Sequence, residues 1–301
     1  YGNRTGSWTI SLATQEADPL TRYREIVAAT RAAHEHPLPS GGELMYGRGV
    51  ASAIKNTGFG FGFDDKVTAE VTLTQAGAIV FVGAAEVGQG AETVVAQVAA
   101  SVLDIEPDRV HVEWRDTTTA PDAGSSSASR QTVASGNAVR LACEAVRKKL
   151  GEAGGLDQVP DESISARHTW RFPETQSFDL RPARHLAAFG WGACVADVAV
   201  DSATGEVPVL RVCNALDAGQ VINPTLLRGQ VEGGVVMGQG YALQERFELT
   251  AGLPDTVGFE SCAVPTSMDA VAEIEVLTIE VPEAIGPFGA RGVGEMAMIP
   301  V

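Results

Sequence analysis

A chain of 301 residues, 45% hydrophobic and 20% charged, has enough apolar material for a buried core and fits one large domain or two of ordinary size. Its formal net charge of −16 argues against nucleic acid or an anionic membrane surface as partner, since both demand cationic stripes. Cys143, Cys194, Cys213 and Cys262 are far apart and form no C-x-x-C pair, which speaks against zinc ribbons and cysteine-ligated iron–sulfur clusters and for free thiols in a reducing, cytoplasmic setting.

The first 18 residues are polar and lack a signal-type apolar core, and no stretch approaches 18 uncharged apolar residues, so no membrane insertion is expected. The absence of an initiator Met suggests a processed chain or a fragment. Residues 20–36 carry helical periodicity, stopped by Pro37 and Pro39, and residues 40–49 read as a loop. Residues 67–73 and 78–82 read as strands joined around Gly77. Val94, Val95, Val98 and Val102 then fall at helical spacing in residues 92–103, followed by a short strand at 110–114. A Thr/Ser/Gly/Pro-rich stretch at 117–129 leads into a helix ending near Leu150, and residues 151–162 have the composition of a linker.

Beyond it, residues 190–200 alternate like a strand, Ala203-Thr204-Gly205 form a turn, and a second strand runs through Leu216. Asn223-Pro224 is a helix start, with Asn as cap and Pro in the first turn, and the helix is expected to reach Met237. Residues 241–249 and 274–281 read as strands. The irregular alternation of strand and helix points to an α+β fold of two layered lobes of mixed sheet and helices, residues 1–160 and 161–301, rather than a doubly wound parallel sheet.

Four segments carry dense glycine or small polar residues. The first, G-A-A-E-V-G-Q-G at 83–90, lies between a strand and a helix, where backbone N–H groups suit an anion. No Gly-Lys-Ser/Thr follows, so it is not a nucleotide-hydrolase phosphate loop. The second, D-A-G-S-S-S-A-S-R-Q-T at 122–132, offers hydroxyls and N–H groups, with Arg130 as a candidate countercharge. The third runs from L-D-A-G-Q-V-I-N-P through R-G-Q-V-E-G-G-V-V-M-G-Q-G, where Gln230 and Gly234 share a helix face. The fourth, I-G-P-F-G-A-R-G-V-G-E-M-A-M-I-P at 285–300, delivers one carboxylate, Glu295, in position to act as a base.

Taken singly, each segment also fits a ligand-free turn, a Ser-rich loop, tight helix packing or a solvated acid. Together they suit one extended ligand with several anionic or amide-like edges. His34, His36, His111, His168 and His185 are scattered and offer no competing metal site, so any metal would be held by an organic cofactor.

In this order, E-V-G-Q-G, S-S-S-A-S-R-Q, F-G-W-G-A-C-V-A-D-V-A-V-D-x-x-T-G-E, N-P-x-x-x-x-G-Q-V-E-G-G and G-A-R-G-V-G-E resemble the molybdenum-cofactor subunit of the xanthine dehydrogenase/aldehyde oxidase family of molybdenum hydroxylases. The resemblance covers about residue 42 to the C-terminus. It implies that Val87, Gly88, Gln89 and Gly90 contact a molybdenum-pterin cofactor, a molybdopterin cytosine dinucleotide. Ser127, Ala128 and Ser129 would line its phosphate or dinucleotide part, Gln230 would bind the pterin, and Gly292, Val293 and Gly294 would border it.

Glu295 takes the place of the family's catalytic glutamate, and the pterin dithiolene, not the protein, holds molybdenum. The reaction implied is hydroxylation of an N-heteroaromatic carbon with water as oxygen source. An aldehyde or carbon monoxide oxidising member, a non-catalytic cofactor-holding subunit and a glycine-rich nucleotide-binding module are the alternatives. The partners implied are the other half of the molybdenum subunit, an iron–sulfur subunit with 2Fe–2S centres and a flavin subunit with FAD.

Two departures stand out: Val87 where the family has Met, and Met296 where it often has Pro. The family's upstream half and a final helix beyond Val301 have no match, which implies a separately encoded C-terminal half or a cut piece.

Overall fold

The computed structural model describes residue 28 and residues 44–151, 159–179 and 184–301. Apart from residue 28, the helix expected at 20–36 lies outside these, as does most of the linker expected at 151–162.

Two four-stranded mixed sheets, each backed by helices, make the α+β fold expected from the sequence. The strand β1 (Leu44–Thr57) belongs to the second sheet; β2 (Lys66–Thr74) and β3 (Gly77–Phe81) form the expected hairpin in the first. Along β2 the alternation is strict: Val67, Ala69, Val71 and Leu73 are buried, while Thr68, Glu70 and Thr72 are less so. Next come α1 (Ala91–Leu103), β4 (Val110–Glu113) and α2 (Gln131–Leu150). The helix α2 packs on β2 and against α1, which also touches β4, so Val95 and Val98 of α1 and Val133, Val139 and Val146 of α2 share one core with Val67, Val71 and Val80. Each such burial stabilises by roughly 1.5–3 kcal/mol. The strand β5 (Ile164–Arg171) completes the order β4-β3-β2-β5.

The second sheet has the order β1-β6-β7-β10, with β6 (Ala188–Asp201), β7 (Val209–Asp217) and β10 (Ile274–Ile279). The helix α3 (Pro224–Leu243) packs Val231 and Val235 against Val212 and Leu216 of β7. Its start is as expected: the Asn223 side chain accepts from the Leu226 N–H at 2.9 Å, and Pro224 follows. A two-residue pairing, β8 (Leu249–Thr250) with β9 (Leu253–Pro254), and the single turn α4 (Phe259–Cys262) lie between α3 and β10.

Two expectations are corrected, and one strand was missed. Residues 44–49 are not loop but the start of β1, which pairs antiparallel with β6 from Leu44↔Asp201 to Thr57↔Ala188 in spite of two glycines. Arg48 supports that pairing by donating to both oxygens of Asp197 at 2.6 and 2.8 Å. The helix α3 runs on to Leu243, so the strand expected at 241–249 shrinks to β8. Strand β5 was not anticipated, because Ile-Ser-Ala-Arg-His-Thr-Trp-Arg shows little apolar alternation. The chain also crosses between sheets: β1 joins strands of the second half, and β5 joins strands of the first.

Burial pushes the thiols of Cys143, Cys194 and Cys213 up to about 12, so they act as core hydrophobes. Among the described residues no group of His, Cys, Asp and Glu could hold a metal ion, and no helix is long and apolar enough to cross a membrane.

Candidate functional site

Arg291 anchors the C-terminal segment. It is buried, its guanidinium lies 4.9 Å from the Trp191 ring centroid, and it donates to the Phe189 carbonyl at 2.9 Å. Asp217, at 3.3 Å, and Glu283 neutralise it. A buried guanidinium with this many partners fixes the loop that follows.

Downstream, Met296 and Ala297 are buried, and the Asn214 side chain donates to the Ala297 carbonyl at 2.8 Å. Met296 explains its own departure from the family pattern: it lies over Gly192 of β6, where a Cβ would come within 3.1 Å of it. Gly234 and Gly238 of α3 serve close packing, since a Cβ at Gly234 would stand 2.8 Å from Ala297 and one at Gly238 2.6 Å from Val301.

Glu295 is carried out between these anchors. Its N–H donates to Ser129 Oγ at 3.2 Å, and that hydroxyl donates to Glu295 Oε2 at 2.8 Å. Lys55 Nζ, at the end of β1, sits 2.7 Å from the same oxygen. The Glu295 side chain is 47% exposed in this chain. Gly292 lets the chain pass directly over Ser129, where any Cβ would overlap the Ser129 carbonyl oxygen. Gln230 approaches from α3, its amide nitrogen 3.6 Å from where a Gly294 Cβ would lie.

Ser129 is presented by an unusual backbone. Ala128 and Ser129 take φ values of 52° and 50°, a left-handed conformation that L residues adopt only when the surroundings over-determine it. Arg130 supplies the constraint, and here the expectation of a ligand countercharge is corrected. It is 1% exposed and turned inward, pairing with Asp65 at 2.6 Å and donating to the Ala123, Ser125 and Lys66 carbonyls at 2.6, 3.1 and 3.1 Å. Asp65 also accepts from the Phe59 N–H at 3.0 Å. A carboxylate that holds both the turn at 58–65 and the guanidinium behind the serine loop gives no signal in sequence.

The loop at 83–90 joins the same region. Ser126 Oγ donates to the Ala85 carbonyl at 3.1 Å, and Gly90 packs so tightly on Leu226 of α3 that a Cβ there would come within 2.6 Å. The N–H groups expected for a bound anion are already taken by the chain's own anion. Glu86 accepts from Gly88 and Gly90 at 2.9 Å and from Glu92 at 3.0 Å, capping α1. Gln89 bonds back to its own loop, donating to the Ala85 carbonyl at 2.8 Å and accepting from the Val87 N–H at 2.6 Å. Val87 is 78% exposed.

Burial pushes the Glu86 carboxyl up, but the backbone N–H donors of Glu92, Gly90, Gly88 and Ala91 outweigh it and hold it below its ordinary value. A carboxyl lowered in the folded state adds stability that is present above the unfolded value and lost as pH falls through the folded one. Glu86→Gln is therefore expected to lose less stability than the parent between about pH 5 and about pH 3. Urea unfolding at the two pH values checks this, and equal losses would refute the cap.

The structure thus brings Ser129, Gln230, Gly292, Gly294 and Glu295 together, with the loop at 83–90 tied to them through Ser126. The N–H groups of Ser127, Ala128, Ser129, Gly292, Val293 and Gly294 donate to no acceptor among the described residues, and the Gln230 amide has no partner there. Such a rim of unspent donors fits a ligand with several acceptor edges, as a pterin with a phosphate has. Lys55, Glu86 and Asp65 were missed; only Glu86, inside E-V-G-Q-G, stood within a recognisable motif.

Residues 19–271 match the family model of the molybdopterin cofactor-binding domain. The chain is 31% identical to the 6-hydroxypseudooxynicotine dehydrogenase complex subunit gamma of Paenarthrobacter nicotinovorans, over 77% of this chain and 33% of that protein. It is also 31% identical to the aldehyde oxidoreductase of Megalodesulfovibrio gigas, over 83% of this chain and 29% of that one. The crystal structure of the aldehyde oxidoreductase from Desulfovibrio desulfuricans superposes with a TM-score of 0.78 at 26% identity, covering 92% of this chain and 31% of that one. The chain therefore spans about a third of the length of these relatives. It belongs to the molybdopterin cofactor-binding domain family, the cofactor-binding part of the xanthine dehydrogenase and aldehyde oxidoreductase enzymes.

Proposed function

We propose that this chain forms one wall of the active site of a molybdenum-dependent hydroxylase that oxidises an N-heteroaromatic carbon with water as oxygen source. The observation that carries the reading is the meeting of the Gly292–Glu295 turn with Ser129 and Gln230, three segments far apart in sequence, around unspent donors. The N–H groups of Ser127, Ala128 and Ser129 would hold the phosphate or dinucleotide end of the cofactor, and Gln230 with Gly292, Val293 and Gly294 its pterin. Val87, Gly88, Gln89 and Gly90 would border the pterin from the other side. When bound, the molybdenum–pterin group supplies the two-electron oxidation of the substrate carbon.

Glu295 accepts the proton of the attacking water-derived group at its free oxygen. Ser129 holds that carboxylate from the first-sheet side, and the buried Arg291 holds the loop from the second. The acid is half exposed in this chain, so water exclusion falls to another polypeptide segment, the other half of the molybdenum subunit. Electrons would leave through iron–sulfur and flavin subunits; partner subunits in general are supported by one relative named as a complex subunit and another named as a large subunit.

Aldehyde oxidation is the second reading, favoured by the equal identity to the aldehyde oxidoreductase. The test is bleaching of the purified native complex by a panel of N-heterocycles and aldehydes. Bleaching by a heterocycle at catalytic rate supports the first reading, and bleaching by aldehydes alone supports the second. Bleaching by neither, with dithionite still effective, leaves only a cofactor-holding role.

A further inference from the structure

We propose that Lys55 is a positioning residue: with Ser129 it clamps one oxygen of Glu295, so that the other oxygen is the one presented as base. This rests on the reading of Glu295 as the base. Both groups act on Oε2, Ser129 Oγ donating at 2.8 Å and the Lys55 ammonium paired with it at 2.7 Å, whereas Oε1 has no donor among the described residues. The terminal torsion of a glutamate is broad and roughly two-fold, so a carboxylate on a glycine-rich loop would otherwise swap its oxygens freely. A hydrogen bond and an ion pair on one oxygen remove that freedom.

The two groups are also held by different sheets. Lys55 stands near the end of β1 in the second sheet, opposite Gly190 of β6, where the missing side chain leaves space. Ser129 closes the loop that Arg130 fastens to the first sheet. Only 15% of the Lys55 side chain is exposed, and its other acceptor is the Asn56 carbonyl at 3.0 Å, so Glu295 is its counterion.

Magnitude separates this role from a plain surface ion pair. With the carboxylate half exposed, the pair adds little to stability. Positional error in a reacting group is costly, however, since a displacement of about 1 Å can lower a rate by about 10²-fold. The clamp therefore matters to turnover and hardly to folding.

The experiment uses the cofactor-loaded complex carrying Lys55→Met, Lys55→Arg, Glu295→Gln or Lys55→Met with Glu295→Gln. Lys55→Met is expected to lower kcat by about tenfold to 10²-fold at unchanged KM and unchanged molybdenum content. Lys55→Arg restores most of the loss, and the double variant is no slower than Glu295→Gln alone. Carbodiimide labelling of Glu295, read by mass spectrometry, should rise severalfold in Lys55→Met. If that variant does not assemble, Lys55→Gln takes its place.

Parent-level kcat and labelling in Lys55→Met, in an enzyme that Glu295→Gln inactivates, would overturn the clamp. A fully active Glu295→Gln enzyme would instead overturn the base itself, and with it the purpose of the clamp, while the labelling would still show whether Lys55 holds the carboxylate.

Discussion

Glu295→Gln is expected to leave molybdenum and pterin content unchanged and to lower turnover by about 10²–10⁴-fold, the range that a positioned general base contributes. The substitution keeps the shape of the side chain and an oxygen that can still accept from Ser129 Oγ, so the loop between Arg291 and the buried Met296 and Ala297 has no reason to move. What is lost is the ability to take a proton. Lys55 loses its counterion, but at a half-exposed pair this costs little in stability. The checks are elemental analysis, fluorescence of the oxidised pterin and single-turnover reduction by substrate. Parent-level turnover in a fully loaded complex would refute the assignment.

Asp65→Ala is expected to be the most damaging substitution away from Glu295. It would leave the Arg130 guanidinium buried without its counterion, and breaking a buried pair by removing one partner costs about 3–5 kcal/mol. The loss would not stay local. Arg130 holds the Ala123 and Ser125 carbonyls, and through them the left-handed turn at Ala128 and Ser129 that carries Ser129 to Glu295. Thermal and urea unfolding should show the drop, and limited proteolysis should open the segment 122–130. Asp64 is the control: its partners Arg171 and Lys66 are on the surface, so Asp64→Ala should cost far less. Equal effects of the two substitutions would contradict the role given to Asp65.

The parts of this protein that were legible in its sequence are those set by local pattern. Alternation of Val67, Ala69, Val71 and Leu73 marks β2, and Asn223-Pro224 marks the start of α3. The strands β1 and β5 were not legible, because Gly47, Gly49 and Arg48 in one and Arg167 and His168 in the other break the alternation. Only pairing with β6 and with β2 makes them strands. For the same reason the exchange of β1 and β5 between sheets could not be read from order along the chain.

The site divides in the same way. Ser129, Gln230 and the 292–295 turn lie in motifs dense enough to notice. Arg130 was noticed and given the wrong task, because nothing local shows that Asp65 lies behind it. Glu86 was overlooked as an occupant of N–H groups that otherwise look free for a ligand. Lys55 lies in no motif, and only the fold brings it to Glu295.

The most direct test of the whole account is the molybdenum and pterin content of the native complex purified through this chain. Stoichiometric molybdenum with a pterin is predicted, together with its loss when Gly292 is replaced by valine, whose side chain cannot pass over Ser129. A folded, fully assembled complex containing neither molybdenum nor pterin would contradict it.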